Sequence, residues 1–140
     1  MVGIETKYKK IYASGKRKSA VARAIIQNGS GKVTLNGRDY ETLQLFNKLK
    51  IAEPLRIAEH ILGKLDFDCK ITIKGGGEIG QIDAARLALA KAIVEYTKSS
   101  EVEDAFWDYD RNLLVADARR KETRKPGDSK ARAMRQTSYR

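Results

Sequence analysis

Residues 67–98 constrain the fold more tightly than any other stretch. Phe67, Cys69, Ile71 and Ile73 alternate with Asp68, Lys70, Thr72 and Lys74, the period-two pattern of a half-buried strand. Gly75-Gly76-Gly77 ends that strand. From Glu78 or Ile79 to Lys98 the chain turns rich in Ala and Leu, with Ile82, Ala85, Leu89, Ala92 or Ile93, and Tyr96 recurring at threes and fours. That spacing marks the buried stripe of a long helix. Cys69, on the apolar face of the strand, reads as a small core residue.

The segments before it are shorter. Tyr8 to Ala13 has the look of a strand, broken at Ser14-Gly15. Ser19 to Gln27 alternates, with Ala20, Ala22, Ala24 and Ile26 on one face and Val21, Arg23 and Ile25 on the other. Asn28-Gly29-Ser30-Gly31 is a turn, Lys32 to Leu35 a third strand, and Asn36-Gly37 a strong turn dipeptide. Three such strands within about thirty residues predict an antiparallel meander. Asp39 to Asn47 reads as a short helix with Tyr40, Leu43 and Phe46 inward. Pro54 fits the first turn of another, with Leu55, Ala58, Ile61 and Leu62 on its face and Gly63 as its stop. After Ser99, the pair Ser100 and Glu103 fits a capping box for a last short helix ending near Asp108. Phe106 and Trp107 are expected to pin it to the body, and Leu113-Leu114-Val115 make the final apolar contact.

Charge divides the chain into three parts. Residues 1–23 carry seven bases and one acid, residues 24–118 twelve and fifteen, and residues 119–140 nine and two. A mildly acidic middle (24–118) between basic ends suits a polyanion, nucleic acid first and an anionic membrane second, and the globular domain (1–118) ends where the basic tail (119–140) begins. The last segment has few apolar residues, so its burial cannot offset its ordering entropy; it reads as an extended arm that orders on its partner. One cysteine and one histidine, Cys69 and His60, allow no internal disulfide and no cluster of soft metal ligands. With no apolar leader and no run of eighteen apolar residues, the expectation is a soluble, intracellular chain.

Several stretches resemble chemical sites. Gly75 to Gly80 (GGGEIG) matches a dinucleotide fingerprint, but the second parallel strand and ribose-binding acid that the fingerprint requires do not follow. Free amides at the start of a helix still suit a phosphate, and Lys74 adjoins them. Asp108, Asp110 and Asn112 begin like a calcium loop that then fails at Leu113 and Arg119. Gly29-Ser30-Gly31-Lys32 is too short for a phosphate-binding loop. No arrangement points to catalysis or to a cofactor. Ser14 to Ala20 (SGKRKSA) is more informative: Lys16, Arg17 and Lys18 are expected to protrude from a loop between two strands, beside Gly15 and Ser19.

SGKRKSAVARA, KVTLNGRDYE, ITIKGGGEIGQIDAARLALAKAIVEY and DYDRNLLVADARRKETRKPGDSKARAMRQTSYR together resemble the family of the universal small-subunit ribosomal protein number nine. The AFWDYDRNLLVADARRKE stretch is similar to its archaeal and eukaryotic branch. The resemblance implies an α+β fold, a mixed four-stranded sheet with helices on one face and a left-handed βαβ crossover, followed by an extended basic tail. It implies a non-enzymatic role in the head of the small ribosomal subunit, on ribosomal RNA and among neighbouring small-subunit proteins. The rRNA-binding residues it suggests are Lys16, Arg17, Lys18, Arg119, Arg120, Lys121, Arg124, Lys125, Lys130, Arg132 and Arg135, to which Lys74, beside the free amides after the glycine run, is added. It brings Ser138, Tyr139 and Arg140 to the transfer RNA of the peptidyl site. A DNA-compacting protein finds no recognition helix, heptads or zinc knuckle here, and a nucleotide-using enzyme rests on GGGEIG alone.

Overall fold

The computed structural model describes residues 10–139, so Tyr8, Lys9 and Arg140 lie outside the described residues. Strand β1 (Ile11–Arg17) does not break at Ser14-Gly15, as the sequence suggested. It pairs antiparallel with β2 (Ala20–Asn28), from Ile11 opposite Ile26 to Arg17 opposite Ala20. Only Lys18 and Ser19 remain to make the turn, with Lys18 at φ 52°. Gly15 serves close approach instead of chain flexibility. A Cβ there would stand 2.3 Å from the Ala84 carbonyl oxygen and 2.7 Å from the Ala88 nitrogen.

Strand β3 (Val33–Leu35) turns through Asn36 and Gly37, at φ 48° and 82°, into β4 (Arg38–Asp39). Positive φ at both positions is the type I′ geometry, which Asn-Gly adopts readily. The expected meander does not form. Strand β5 (Phe67–Lys74) inserts between the second and third strands, and the order is β1-β2-β5-β3-β4. β5 runs antiparallel to β2, from Val21 opposite Lys74 to Asn28 opposite Phe67, and parallel to β3. The backbone explains the choice. The eight residues of β5 can satisfy nearly all of β2's free edge, which the three residues of β3 could not. The sheet is mixed as expected but has five strands, not four, because β4 adds a two-residue edge.

Three helices follow. Helix α1 (Leu45–Leu62) is one element where two were expected. The separate helix over 39–47 reduces to a 3₁₀ turn at Tyr40–Thr42, and Phe46 points outward at 78% exposure. Pro54 lies inside α1 rather than in its first turn. It removes the N–H that would meet the Lys50 carbonyl, but Pro54, Ile51, Leu55 and Ala58 are all buried, and that packing offsets the lost bond. Gly63 ends the helix as expected. Helix α2 (Glu78–Thr97) matches its sequence pattern. Helix α3 (Ser100–Tyr109) begins after Ser99, with no side-chain cap bond, so the Ser100–Glu103 capping box does not form. Phe106 is fully buried, whereas Trp107 is 43% exposed, so Phe106 is the residue of the pair that enters the core.

All three helices serve one face of the sheet. Ala20, Ala22, Ala24 and Ile26 of β2 and Phe67, Cys69, Ile71 and Ile73 of β5 are buried beneath them. Helix α2 lies on β1, β2 and β5, with α1 and α3 packed against it. Its buried surface therefore exceeds a single stripe and takes in Ala84, Leu87, Ala88 and Ala90. Small residues on both sides let helix and sheet approach closely. The opposite face of the sheet carries no helix among the described residues.

Candidate nucleic-acid interface

The three cations of the first hairpin do not act as one loop. Strand alternation sends Lys16 to the open face and Arg17 to the helix side, leaving Lys18 exposed at the turn. The Arg17 guanidinium pairs with Asp117 and approaches Asp83 at 4.0 Å, with its side chain only 20% exposed. The expected protruding KRK loop is therefore corrected to one turn residue and two strand residues. The reason is that seven cross-strand pairs extend the ladder to Arg17.

Cross-strand register builds the open face in rows. Lys16, Val21 and Lys74 form one row, Ser14, Arg23 and Thr72 the next, and Tyr12, Ile25, Lys70 and Thr34 a third. Arg23, Lys70 and Tyr12 were not singled out from the sequence, although the alternation of β2 and β5 already set them opposite the apolar faces. Beside them, Asp68 accepts hydrogen bonds from the Ser30 and Lys32 amides at 2.9 and 3.0 Å. The Lys32 and Ser30 amides hold its carboxyl below the usual range. The Gly29–Lys32 turn is thus wrapped on a carboxylate of β5 and has no phosphate-loop geometry.

The glycine run is mainly a crossing point. Gly75 and Gly76 sit at φ 76° and 71°, where a Cβ would meet the Ser19 carbonyl oxygen and Ala20 at 2.8 Å each. The run therefore lets the β5–α2 junction pass under the first hairpin. Glu78 occupies the first turn of α2 and accepts from Asn47 at 2.8 Å, which sets a negative charge at the amides a phosphate would use. Lys74 belongs to the open face beside Lys16.

At the far end, Arg86 is held between Glu53 at 2.5 Å and Asp110 at 2.9 Å. Asp110 also accepts from the Asn112 amide at 2.9 Å. Burial works against its ionised form, yet the Asn112 and Arg86 hydrogen bonds win and lower its pKa. The aborted calcium motif is a structural turn that seats Leu113 in the core. From there Asp117 links the tail root to β1 through Arg17 and also pairs with Arg119 at 2.7 Å. Lys18, Ser19, Arg119, Arg120 and Lys121 wall one shallow hollow, so basic clusters far apart in sequence meet there. Residues 116–139 form no helix or strand. Arg132 pairs with Glu122 at 2.7 Å and Arg135 approaches Asp128 at 4.0 Å. Lys121, Arg124, Lys125 and Lys130 are exposed, as are Ser138 and Tyr139; Arg140 lies outside the described residues.

Comparison with known proteins gives the family. The sequence profile of the family "Ribosomal protein S9/S16" matches residues 15–140. The chain belongs to that family. It is 47% identical over 135 residues to small ribosomal subunit protein uS9 of Methanococcus vannielii, covering 94% of this chain and 99% of that protein. Against uS9 of Picrophilus torridus it is 48% identical over 127 residues, covering 90% and 94%. Against uS9 of Thermoplasma volcanium the identity is 44% over 131 residues, covering 93% and 98%. As a member of this family the chain is a structural ribosomal protein of the small subunit and not an enzyme.

Proposed function

We propose that the chain binds ribosomal RNA in the head of the small subunit with its body and carries its tail to the transfer RNA of the peptidyl site. The observation that carries this reading is the meeting of Lys18 with Arg119, Arg120 and Lys121 at the tail root. It makes one basic surface at the root of residues 119–140, which hold nine bases and two acids. Lys16, Lys18 and Lys74 on the body, and Arg119 through Arg135 on the tail, supply the phosphate contacts, which orient a protein without reading sequence. Arg17, engaged by Asp117, fixes the tail root instead. Ser138, Tyr139 and Arg140 are the residues nearest the transfer RNA. An arginine fork there suits phosphate oxygens, and backbone contacts serve every transfer RNA alike. Neighbouring small-subunit proteins complete the surroundings, in cytoplasmic ribosomes.

The test is binding to small-subunit ribosomal RNA across a salt series. With roughly 6–10 phosphates neutralised, affinity falls about 10³–10⁵-fold between about 50 and 200 mM salt. In a native lysate the protein co-sediments with small subunits and is stripped by high salt. An affinity that ignored salt, or sedimentation apart from small subunits, overturns the reading.

A further inference from the structure

We propose that the RNA surface begun by Lys16 and Lys74 extends across the open face of the sheet, where it takes an unpaired segment by stacking a base on Tyr12 beside phosphate-holding cations. The inference deepens the ribosomal reading and rests on it for the identity of the polyanion.

Two sets of cations on the body are placed differently. On the helix side Arg17, Lys50 and Arg86 are each paired with carboxylates. On the open face, Lys16, Arg23, Lys70 and Lys74 are exposed, and none has an ion-pair partner among the described residues. The acid beside them, Asp68, already spends its charge on two backbone amides. Four uncompensated cations on one flat face repel each other until an anion arrives.

The two outer rows of the face also carry apolar side chains. Tyr12 is 66% exposed and Val21 36%, with Ile25 half-buried beside Tyr12 in the same row. Tyr12 also borders a shallow hollow of about 380 Å³ with Lys10, Ile25, Gln27 and Lys70. Strands stand roughly 4.8 Å apart, so Lys16 and Lys74 flank Val21 with about 10 Å between their stems. A duplex offers only phosphates and sugars to such a face and would leave the aromatic ring unused. An unpaired strand offers both, bases for the ring and phosphates for the cations around it. Arg23, between the two rows, can reach a phosphate or lie against a base.

The test uses the full chain with Lys121, Arg124, Lys125, Lys130, Arg132 and Arg135 replaced by Gln, so that binding by the body is what is read. The probes are an unstructured oligouridylate and an RNA hairpin of equal length. The tail-neutralised chain binds the oligouridylate more tightly. Tyr12→Ala weakens that binding roughly 5- to 100-fold without changing the salt slope, and Tyr12→Phe restores most of it. Lys70→Ala and Lys74→Ala each make the slope shallower by about 0.7. Circular dichroism checks that every variant is folded. Equal binding by Tyr12→Ala and its parent, or equal losses on both probes, overturns the proposal. If the unaltered chain failed to enter small subunits while Tyr12-dependent oligouridylate binding persisted, the ribosomal reading would fall and the surface would stand.

Discussion

Replacing Gly15 with alanine adds one methyl group where helix α2 crosses β1. The new Cβ would lie 2.3 Å from the Ala84 carbonyl oxygen and 2.7 Å from the Ala88 nitrogen. Comfortable contacts of this kind begin at roughly 3.5 Å, so helix and strand must part by about 1 Å. Both obstacles are backbone atoms, which cannot rotate aside as a side chain would. Separation also loosens Ala84, Ala85 and Ala88, all fully buried. Overpacking of a well-packed site costs about 1–3 kcal/mol, and this geometry sets the expectation near 3. At a urea dependence of about 2 kcal/mol per molar, the unfolding midpoint drops by about 1.5 M. Gly80→Ala is the control. Its Cβ would meet only the Arg17 carbonyl oxygen at 3.7 Å and Ala20 at 3.9 Å, and inside a helix alanine stabilises by about 0.5–1 kcal/mol over glycine. The same methyl group thus acts in opposite directions at the two positions. A Gly15→Ala midpoint unchanged from the parent would falsify the close-approach reading.

Arg17→Ala weakens RNA binding severalfold by freeing the tail root but leaves the salt slope intact; a slope shallower by about 0.9 would mean that Arg17 touches phosphate after all. Asp68 has its pKa lowered by the Lys32 and Ser30 amides, so its stabilisation is present above the ordinary carboxylate range and lost as pH falls through its folded pKa. The melting-temperature gap between the parent and Asp68→Asn should therefore be widest near neutrality and close in acid, and a gap that widened in acid refutes this. Burial pushes the Cys69 thiol up to about 12, so iodoacetamide at neutral pH should label it only after denaturation. On the proposed contact of Arg140 with peptidyl-site transfer RNA, a charged bond worth about 1.5–3 kcal/mol, deleting Arg140 shortens transfer RNA residence by roughly ten- to a hundredfold. Unchanged dissociation across several transfer RNAs from purified subunits would count against that contact.

Some of this protein was legible one residue at a time. The spans of β5 and α2, the two faces of β2, the Asn36-Gly37 turn and the Gly63 stop all follow from local periodicity and backbone preference, which act within a few residues. The concentration of charge after Arg119 needed only counting. Periodicity assigns a side chain to a face, however, and does not name the neighbour on that face. Pairing β2 with β5 rather than β3 depended on two backbone edges of matching length meeting across some forty residues, a saving in buried polar groups that local sequence does not express. The same holds for Gly15, whose role appears only once α2 lies against it, and for Pro54, tolerated because the surrounding core compensates its lost bond. Arg17 looked like its neighbours Lys16 and Lys18 until the ladder turned it toward Asp117. On the open face the alternation was visible, but only the register between three strands brought Lys16, Arg23, Lys70 and Lys74 onto one surface with Tyr12. Local interactions set each element and its faces, while non-local contacts, which depend on the whole packed structure, chose the partners.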